Sequence, residues 1–378
     1  MTHLSFLRLR NIKGFIDAEA AFQPLTVLIG PNNAGKSSLL QFLRFLGSFE
    51  GEQFAEMHLP DRWNGWVRRD DKVRTWGATL KVQDLGRRED VAYSFDLERG
   101  EGKTLSFVNE EFADTRRKKP RELAGRISPS QIRWQLTAPS HQASLLHFPE
   151  AISTTPFREF RAFVSGIRVF GLDSARLREA STVTPAAELG PDGSGLAATL
   201  DRIRSVHPDA FARIEEELRR TVPEVKSLLT PTVGNGEKAI GIRETSGQDF
   251  DAAEISDGVL LTTALLTLVH QPEPPTVLCL EEPENGLHPR RLADVVDLLT
   301  RLAYPEDGER GAQVILTTHS PYVVDLFRDR PENVLVVDRN AVGSTIRTLE
   351  QALSVVHGSP GDPLGELWYS GVLGGVGR

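Results

Sequence analysis

The sequence contains a single cysteine, Cys279, so no disulfide can form within the chain. Disulfide frameworks belong to oxidising compartments, and their absence points to a reducing cytoplasm. Cys279 lies inside the apolar run Thr276 to Leu280 and reads as a small core residue rather than a reactive thiol. No uninterrupted apolar run reaches about 18 residues, so no membrane span is expected. The opening MTHLSFLRLRNIKGF alternates from the start and has neither the apolar core nor the cleavage site of a signal peptide. Positive charge is scarce: 44 Lys and Arg stand against 52 Asp and Glu, for a net charge of −8 and a pI near 5.7. A protein that holds nucleic acid over much of its surface has a basic excess. Any such site here must be a local patch, or must form only in an assembly. Sustained heptads, internal repeats and low-complexity linkers are also missing, which excludes a long coiled coil and a solenoid. What remains is 39% hydrophobic and 25% charged, as in a soluble globular protein. At roughly 150 residues per unit, the length allows two or three compact units.

The stretch that is present and informative is Leu25 to Leu40, LTVLIGPNNAGKSSLL. Leu25 to Ile29 reads as a buried strand. Gly30-Pro31-Asn32-Asn33-Ala34-Gly35-Lys36-Ser37 then fits the phosphate-loop pattern G-x-x-x-x-G-K-[ST] at every fixed position. Ser38 to Leu46 follows as an apolar helical run closed by Gly47. The motif therefore has the strand-loop-helix context that its chemistry needs. Gly30 and Gly35 let the loop curl so that backbone N–H groups point inward, and the helix N-terminus adds partial positive charge. Lys36 is expected on the β- and γ-phosphates of a nucleoside triphosphate, and the Ser37 hydroxyl on Mg²⁺. The loop from Gly30 through Ser38 is the expected nucleotide-binding segment.

Elsewhere the chain alternates between strand and helix signals. Leu4 and Phe6 form one alternating pair, and Leu7 and Leu9 a second in the opposite phase. Residues 50–165 carry short alternating runs, Ala78 to Val82 and Val91 to Leu97 among them, and read as antiparallel strands decorating the core. This region holds two basic clusters. One is Arg116, Arg117, Lys118, Lys119, Pro120 and Arg121; its reading is either a solvated loop or a contact for phosphate or an acidic partner. The other is Arg62, Arg68, Arg69, Lys72 and Arg74, interleaved with Trp63, Trp66 and Trp76. Its reading is either a hydrophobic loop anchor or a single-strand stacking surface. Ile167 to Leu172 reads as a strand, and Leu196 to Val206 and Pro208 to Arg220 as helices of a small lobe. Val259 to Val269 is apolar on nearly all faces and is expected as a buried helix. Thr276 to Leu280, Gln313 to Thr317 and Val334 to Asp338 read as core strands, with an amphipathic helix over Arg291 to Leu302. Strands alternating with helices imply a parallel sheet, and ligands then sit beyond the carboxyl ends of its strands. The expected units are 1–49 with the phosphate loop, 50–165 as a β-rich subdomain, 166–240 as strand plus helical lobe, 241–345 as the second part of the core, and 346–378 as a tail.

Two further polar clusters end core strands. Glu281 and Glu282 follow Leu280. In a phosphate-loop enzyme a carboxylate there helps hold Mg²⁺, and the next can orient and deprotonate the attacking water. His319 ends the third strand in Thr317-Thr318-His319-Ser320 and is placed to bond the γ-phosphate or the water.

In chain order, the phosphate loop, Ile255-Ser256-Asp257-Gly258, Leu280 to Pro289 (LEEPENGLHP) and Thr317 to Pro321 (TTHSP) resemble ABC-type ATPase heads. The nearest branch is the RecF, SMC and OLD-like group, and within it the stand-alone bacterial ATPases filed under an AAA label. The opening Leu7 to Phe15, the Pro191-Asp192-Gly193-Ser194 turn and the closing Gly365-Glu366-Leu367-Trp368 support it. The resemblance implies an α/β phosphate-loop fold with a mostly parallel core, an antiparallel β subdomain and a small helical lobe. It implies Lys36 and Ser37 on phosphate and Mg²⁺, Glu281 on the metal, Glu282 as catalytic base and His319 as switch histidine. Ser256, Asp257 and Gly258 become the signature, which in this group contacts nucleotide held by another copy, so that ATP is sandwiched in a homodimer. The signature reads ISDG, which departs from the LSGGQ of transporters, and no Q-loop glutamine is assigned. The long coiled coil of SMC proteins and the Toprim nuclease of OLD proteins are absent. Two functions stay open: an ATPase in DNA repair or anti-phage defence, and a nucleotide switch that gates a partner effector without touching DNA. A transporter motor is the least favoured.

Overall fold

The computed structural model describes residues 2–48, 73, 75–84, 89–99, 105–114, 132–135, 155–306, 310–354 and 363–370. Thr2–Ile12 (β1) and Phe15–Ala21 (β2) form a hairpin that leads into Leu25–Ile29 (β3), the phosphate loop and Lys36–Gly47 (α1). The antiparallel strands Thr75–Asp84 (β4), Glu89–Arg99 (β5), Leu105–Asp114 (β6) and Ile132–Gln135 (β7) follow. Thr155–Ser165 (α2) returns the chain to the core at Ile167–Phe170 (β8). A lobe then comprises Ser174–Leu177 (α3), Leu196–Val206 (α4), Pro208–Thr221 (α5), Val225–Leu229 (β9), Gly241–Glu244 (β10) and Asp249–Asp251 (β11). The core resumes with Asp257–His270 (α6), Val277–Glu281 (β12), Pro289–Ala303 (α7), Gln313–Thr317 (β13), Pro321–Asp325 (α8) and Val334–Arg339 (β14). Ser344–Thr348 (β15), Leu349–Leu353 (α9) and Leu364–Tyr369 (α10) come last.

A 12-stranded sheet runs in the order β7-β6-β5-β4-β1-β2-β15-β14-β3-β13-β12-β8. From β14 to β8 every pairing is parallel. Alternate residues of these strands feed two cores. Val27, Leu280 and Leu316 face the core that contains α6, while Leu28, Cys279 and Ile315 face the one that contains α1. Parallel strands covered on both faces read as unbroken apolar runs, and that is why β3, β12 and β13 stand out in the sequence. Each buried aliphatic side chain stabilises the fold by about 1.5–3 kcal/mol. Cys279 is fully buried in this layer, and burial pushes its thiol well above the ordinary range. Val259 through Leu268 of α6 are all buried, as a helix without a polar face requires.

The phase flip in the first strand has a structural cause. The β1–β4 pairing shifts register between Leu4 and Phe6, a bulge that resets the alternation and leaves Leu4, Leu7 and Leu9 all buried. Phe6 stays half-buried, with the Lys81 ammonium 5.1 Å from its ring centroid.

The expected antiparallel strands are present, and because β4 pairs with β1 they extend the core sheet. Three features differ from the sequence reading. The end of that segment is a helix, α2, whose Phe157 meets Phe112 edge-on at 5.1 Å and whose Phe160 lies 5.4 Å from Tyr93. The lobe also contains a three-stranded sheet, β11-β10-β9, and the expected division at 240 falls inside it. The division at 345 likewise falls inside β15. Trp76 is buried in β4, a hydrophobic anchor rather than a stacking surface. The rest of its cluster (Arg62, Trp63, Trp66, Arg68, Arg69, Lys72 and Arg74) and the run Arg116 to Arg121 lie outside the described residues. Among the described residues no helix is long and apolar enough to cross a membrane.

Candidate functional site

The phosphate loop leaves the tip of β3 at Gly30, whose φ is +150°. A Cβ here would stand 1.9 Å from the Val337 carbonyl oxygen on β14, so only glycine fits. Gly35, at φ +122°, is the N-cap of α1, and a Cβ there would press on the Phe15 ring at 2.9 Å. Asn32, Asn33 and Ser37 are exposed, Pro31, Gly35 and Ser38 partly so, and Gly30, Ala34 and Lys36 are buried. The first turn of α1 carries no acidic side chain, which leaves its positive end free for an anion. Lys36 Nζ donates to the carbonyl oxygens of Gly30 at 2.7 Å and Pro31 at 3.0 Å. Burial pushes its pKa down to about 8, against the opposing pull of Glu282, Glu284 and Glu281.

The other clusters converge on the same point. Parallel pairing sets Glu281 of β12 beside Thr317 of β13. The Ser37 hydroxyl is hydrogen-bonded to Glu281 Oε1. Glu282 has φ +47°, a left-handed conformation that costs of order 1–3 kcal/mol in a residue of this kind. Neighbours hold it there. Its N–H donates to the Thr317 carbonyl at 3.2 Å and the Thr317 hydroxyl at 3.1 Å, and Asn285 Nδ2 donates to its Oε2 at 2.8 Å. His319 Nε2 lies 3.3 Å from Glu282 Oε1. Burial, and after it the Lys36 ammonium, hold the imidazole below its ordinary range, partly offset by Glu282 and Glu284. The downward shift favours the neutral ring, which weakens the ion-pair character of its contact with Glu282.

Glu284 entered the sequence reading only as part of a motif, yet it ties two strand tips together. Its Oε1 accepts from the Thr318 hydroxyl at 2.7 Å and from the His319 N–H at 2.8 Å. Its Oε2 is buried with no partner among the described residues.

Ser256, Asp257 and Gly258 lie elsewhere. Ser256 caps α6, and both it and Asp257 are exposed. No hydrogen bond or ion pair among the described residues joins these three to Lys36, Glu281, Glu282 or His319. Instead Arg178 brackets the turn: one guanidinium nitrogen meets Ile255 O at 2.6 Å and Asp257 Oδ1 at 2.7 Å, and the other donates to Ser174 O at 3.0 Å. Gly286 packs under α6, where a Cβ would come 2.7 Å from Leu261 Cδ1. In the region where no Q-loop residue was assigned, Gly171 and Asp173 donate backbone bonds to Pro191 O and Asp192 O, both at 2.9 Å. This fastens the Pro191 to Ser194 turn beside Glu281, whose Oε2 would be 3.7 Å from a Cβ on Gly171. Sequence reasoning missed Arg178, and Trp368 entered it only as part of the closing motif. Their contacts, with α6 and with the His319 ring, join distant segments and leave no local pattern.

The fold is that of SMC heads. A crystal structure of an SMC head bound to the C-winged helix domain of ScpA superposes with a TM-score of 0.56 at 12% identity, over 93% of this chain and 99% of that one. An SMC head with an extended coiled coil, bound to the C-terminal domain of ScpA from Pyrococcus furiosus, gives 0.54 at 11%, over 94% and 98%. No curated protein sequence matches the chain. One sequence family does, over residues 25–325, a span that takes in the phosphate loop, Ser256 to Gly258, Glu281, Glu282 and His319. The chain belongs to that family of P-loop ATPases, described as "AAA domain, putative AbiEii toxin, Type IV TA system".

Proposed function

We propose that the chain binds ATP with Mg²⁺ at the three strand tips, hydrolyses it, and closes on a second copy of itself while ATP is bound. The observation that carries this is the joining of distant segments at one point: Ser37 to Glu281, and Glu282 to His319, with buried Lys36 close enough to both to feel their charge. The Ser37 hydroxyl and Glu281 carboxylate are two hard oxygens side by side, which fits Mg²⁺, an ion that takes few protein ligands. When bound, the ion would neutralise charge on the phosphates. Lys36 would turn from its loop carbonyls to the phosphates. Glu282, held in a fixed conformation, would orient the attacking water and take its proton, and His319 would hydrogen-bond the γ-phosphate or the water.

Ser256, Asp257 and Gly258 fit a role in trans because Ser256 and Asp257 are exposed, Gly258 is half-buried, and among the described residues no hydrogen bond or ion pair joins the three to the strand-tip residues of their own chain. The positive end of α6 would then meet the γ-phosphate held by the other copy. The expected product is ADP and phosphate, and the work is assigned to DNA repair or anti-phage defence. The toxin–antitoxin wording of the family description supports defence. A second reading, a nucleotide switch for a partner effector such as a nuclease, is favoured by exposed Tyr322, Leu326 and Tyr369 on and beside α8 and α10. These apolar side chains suit a protein partner. Salt-dependent DNA retention in the presence of ATP separates the two.

The deciding variant is Glu282→Gln. Hydrolysis should fall by about 10²–10⁴-fold, and light scattering at saturating Mg-ATP should read twice the monomer mass. A monomer under those conditions refutes the sandwich.

A further inference from the structure

We propose that Trp368 is a positioning residue for His319, and that α10 is docked on α8 to hold it there. The proposal rests on the role given above to His319. The backbone of His319 is fixed by Glu284, but that bond does not set the ring. Imidazole rotation about χ2 is broad unless something stops it. On the catalytic side the ring's Nε2 lies 3.3 Å from Glu282 Oε1. Against it lies the Trp368 indole, with ring centroids 6.4 Å apart and planes tilted by 37°, within the range of aromatic contacts. Between Glu282 and Trp368 the imidazole is confined.

Trp368 is itself held firmly. It is 4% exposed. Asp325 Oδ1 at the end of α8 accepts the Gly365 N–H at 2.9 Å. A Cβ on Gly365 would come 2.3 Å from the carbonyl oxygen of Pro321, two residues after His319, so α10 sits in backbone contact with the segment that His319 opens. The indole N–H is buried with no partner among the described residues. Helix α10, far from the nucleotide loop in sequence, thereby becomes part of the apparatus that aims the histidine.

The test is steady-state ATP hydrolysis by the full chain, with active sites titrated by nucleotide binding. Trp368→Ala should lower kcat about tenfold while KM for Mg-ATP stays within about twofold, because the lost function is orientation rather than binding. Trp368→Phe, which keeps a ring face, should recover most of the rate. The double variant Trp368→Ala with His319→Ala should be no slower than His319→Ala alone, since a positioning residue has nothing to position once the imidazole is gone. A purely structural tryptophan would give a further loss in the double variant, and that additivity would overturn the proposal. An unchanged kcat in Trp368→Ala would overturn it too, leaving the role of His319 intact if His319→Ala is slow. If His319→Ala hydrolyses at the full rate, the histidine's role fails and the positioning proposal falls with it. Should Trp368→Ala not be recovered folded, Trp368→Leu keeps apolar volume without a ring and carries the same expectations.

Discussion

The strand tips and the start of α6 are both polar turns on buried apolar elements, but they are built in opposite ways. At the strand tips the functional groups meet one another: Ser37 is hydrogen-bonded to Glu281, Glu282 lies against His319, and Glu284 bonds both Thr318 and His319. At the start of α6 the contacts run behind the turn, through Arg178, and Ser256 faces outward. One region is closed on itself within the chain. The other presents its residues to something outside. A site preorganised by its own contacts suits chemistry, whereas an exposed turn at a helix N-terminus suits recognition of an anion carried by another body.

That contrast can be broken. Lys36→Ala should weaken ATP binding by about 100-fold, close to 3 kcal/mol for a lost charge-assisted contact, as read by calorimetry. Unchanged affinity would remove the strand tips from the nucleotide. Ser256→Arg should leave the affinity of a single chain within about threefold, yet abolish the doubled mass in the Glu282→Gln background. If instead it weakens binding as Lys36→Ala does, the two regions are one site and the comparison fails. The smallest effect sharpens it. Free Lys36 titrates near 8, and phosphate contact would return it toward the ordinary lysine range, so the bound state holds more protons. ATP binding at pH 8 should take up about half a proton, and affinity should fall as pH rises from there. Calorimetry in two buffers of different ionisation enthalpy measures the uptake. Zero uptake would mean that Lys36 stays on its loop carbonyls.

The sequence exposes the strand tips far better than what supports them. β3 and β13 span the same residues as their expected strands, Leu25–Ile29 and Gln313–Thr317, because a strand buried on both faces ends visibly where its apolar run meets a polar cluster. The loop glycines were legible as curl formers, but the reason Gly30 is obligatory is the Val337 carbonyl, a residue of another strand. β11 has one apolar residue, Phe250, which is too little alternation to detect. Helix α2 hid because the preceding region set an expectation of strands and its partners Phe112 and Tyr93 lie in those strands. Arg178, Glu284 and Trp368 act across long sequence separations, and no local periodicity encodes such contacts.

Cys279 turns its thiol into the layer between β12 and α1, fully enclosed and with no tendency to ionise. As the sole cysteine of the chain, it makes the native molecule blind to maleimides and other thiol reagents. A cysteine introduced at exposed Ser256 or Tyr369 would then be the single point of attachment for a fluorophore or spin label. Distances between two copies, and between α10 and the nucleotide loop, become measurable without first stripping the background.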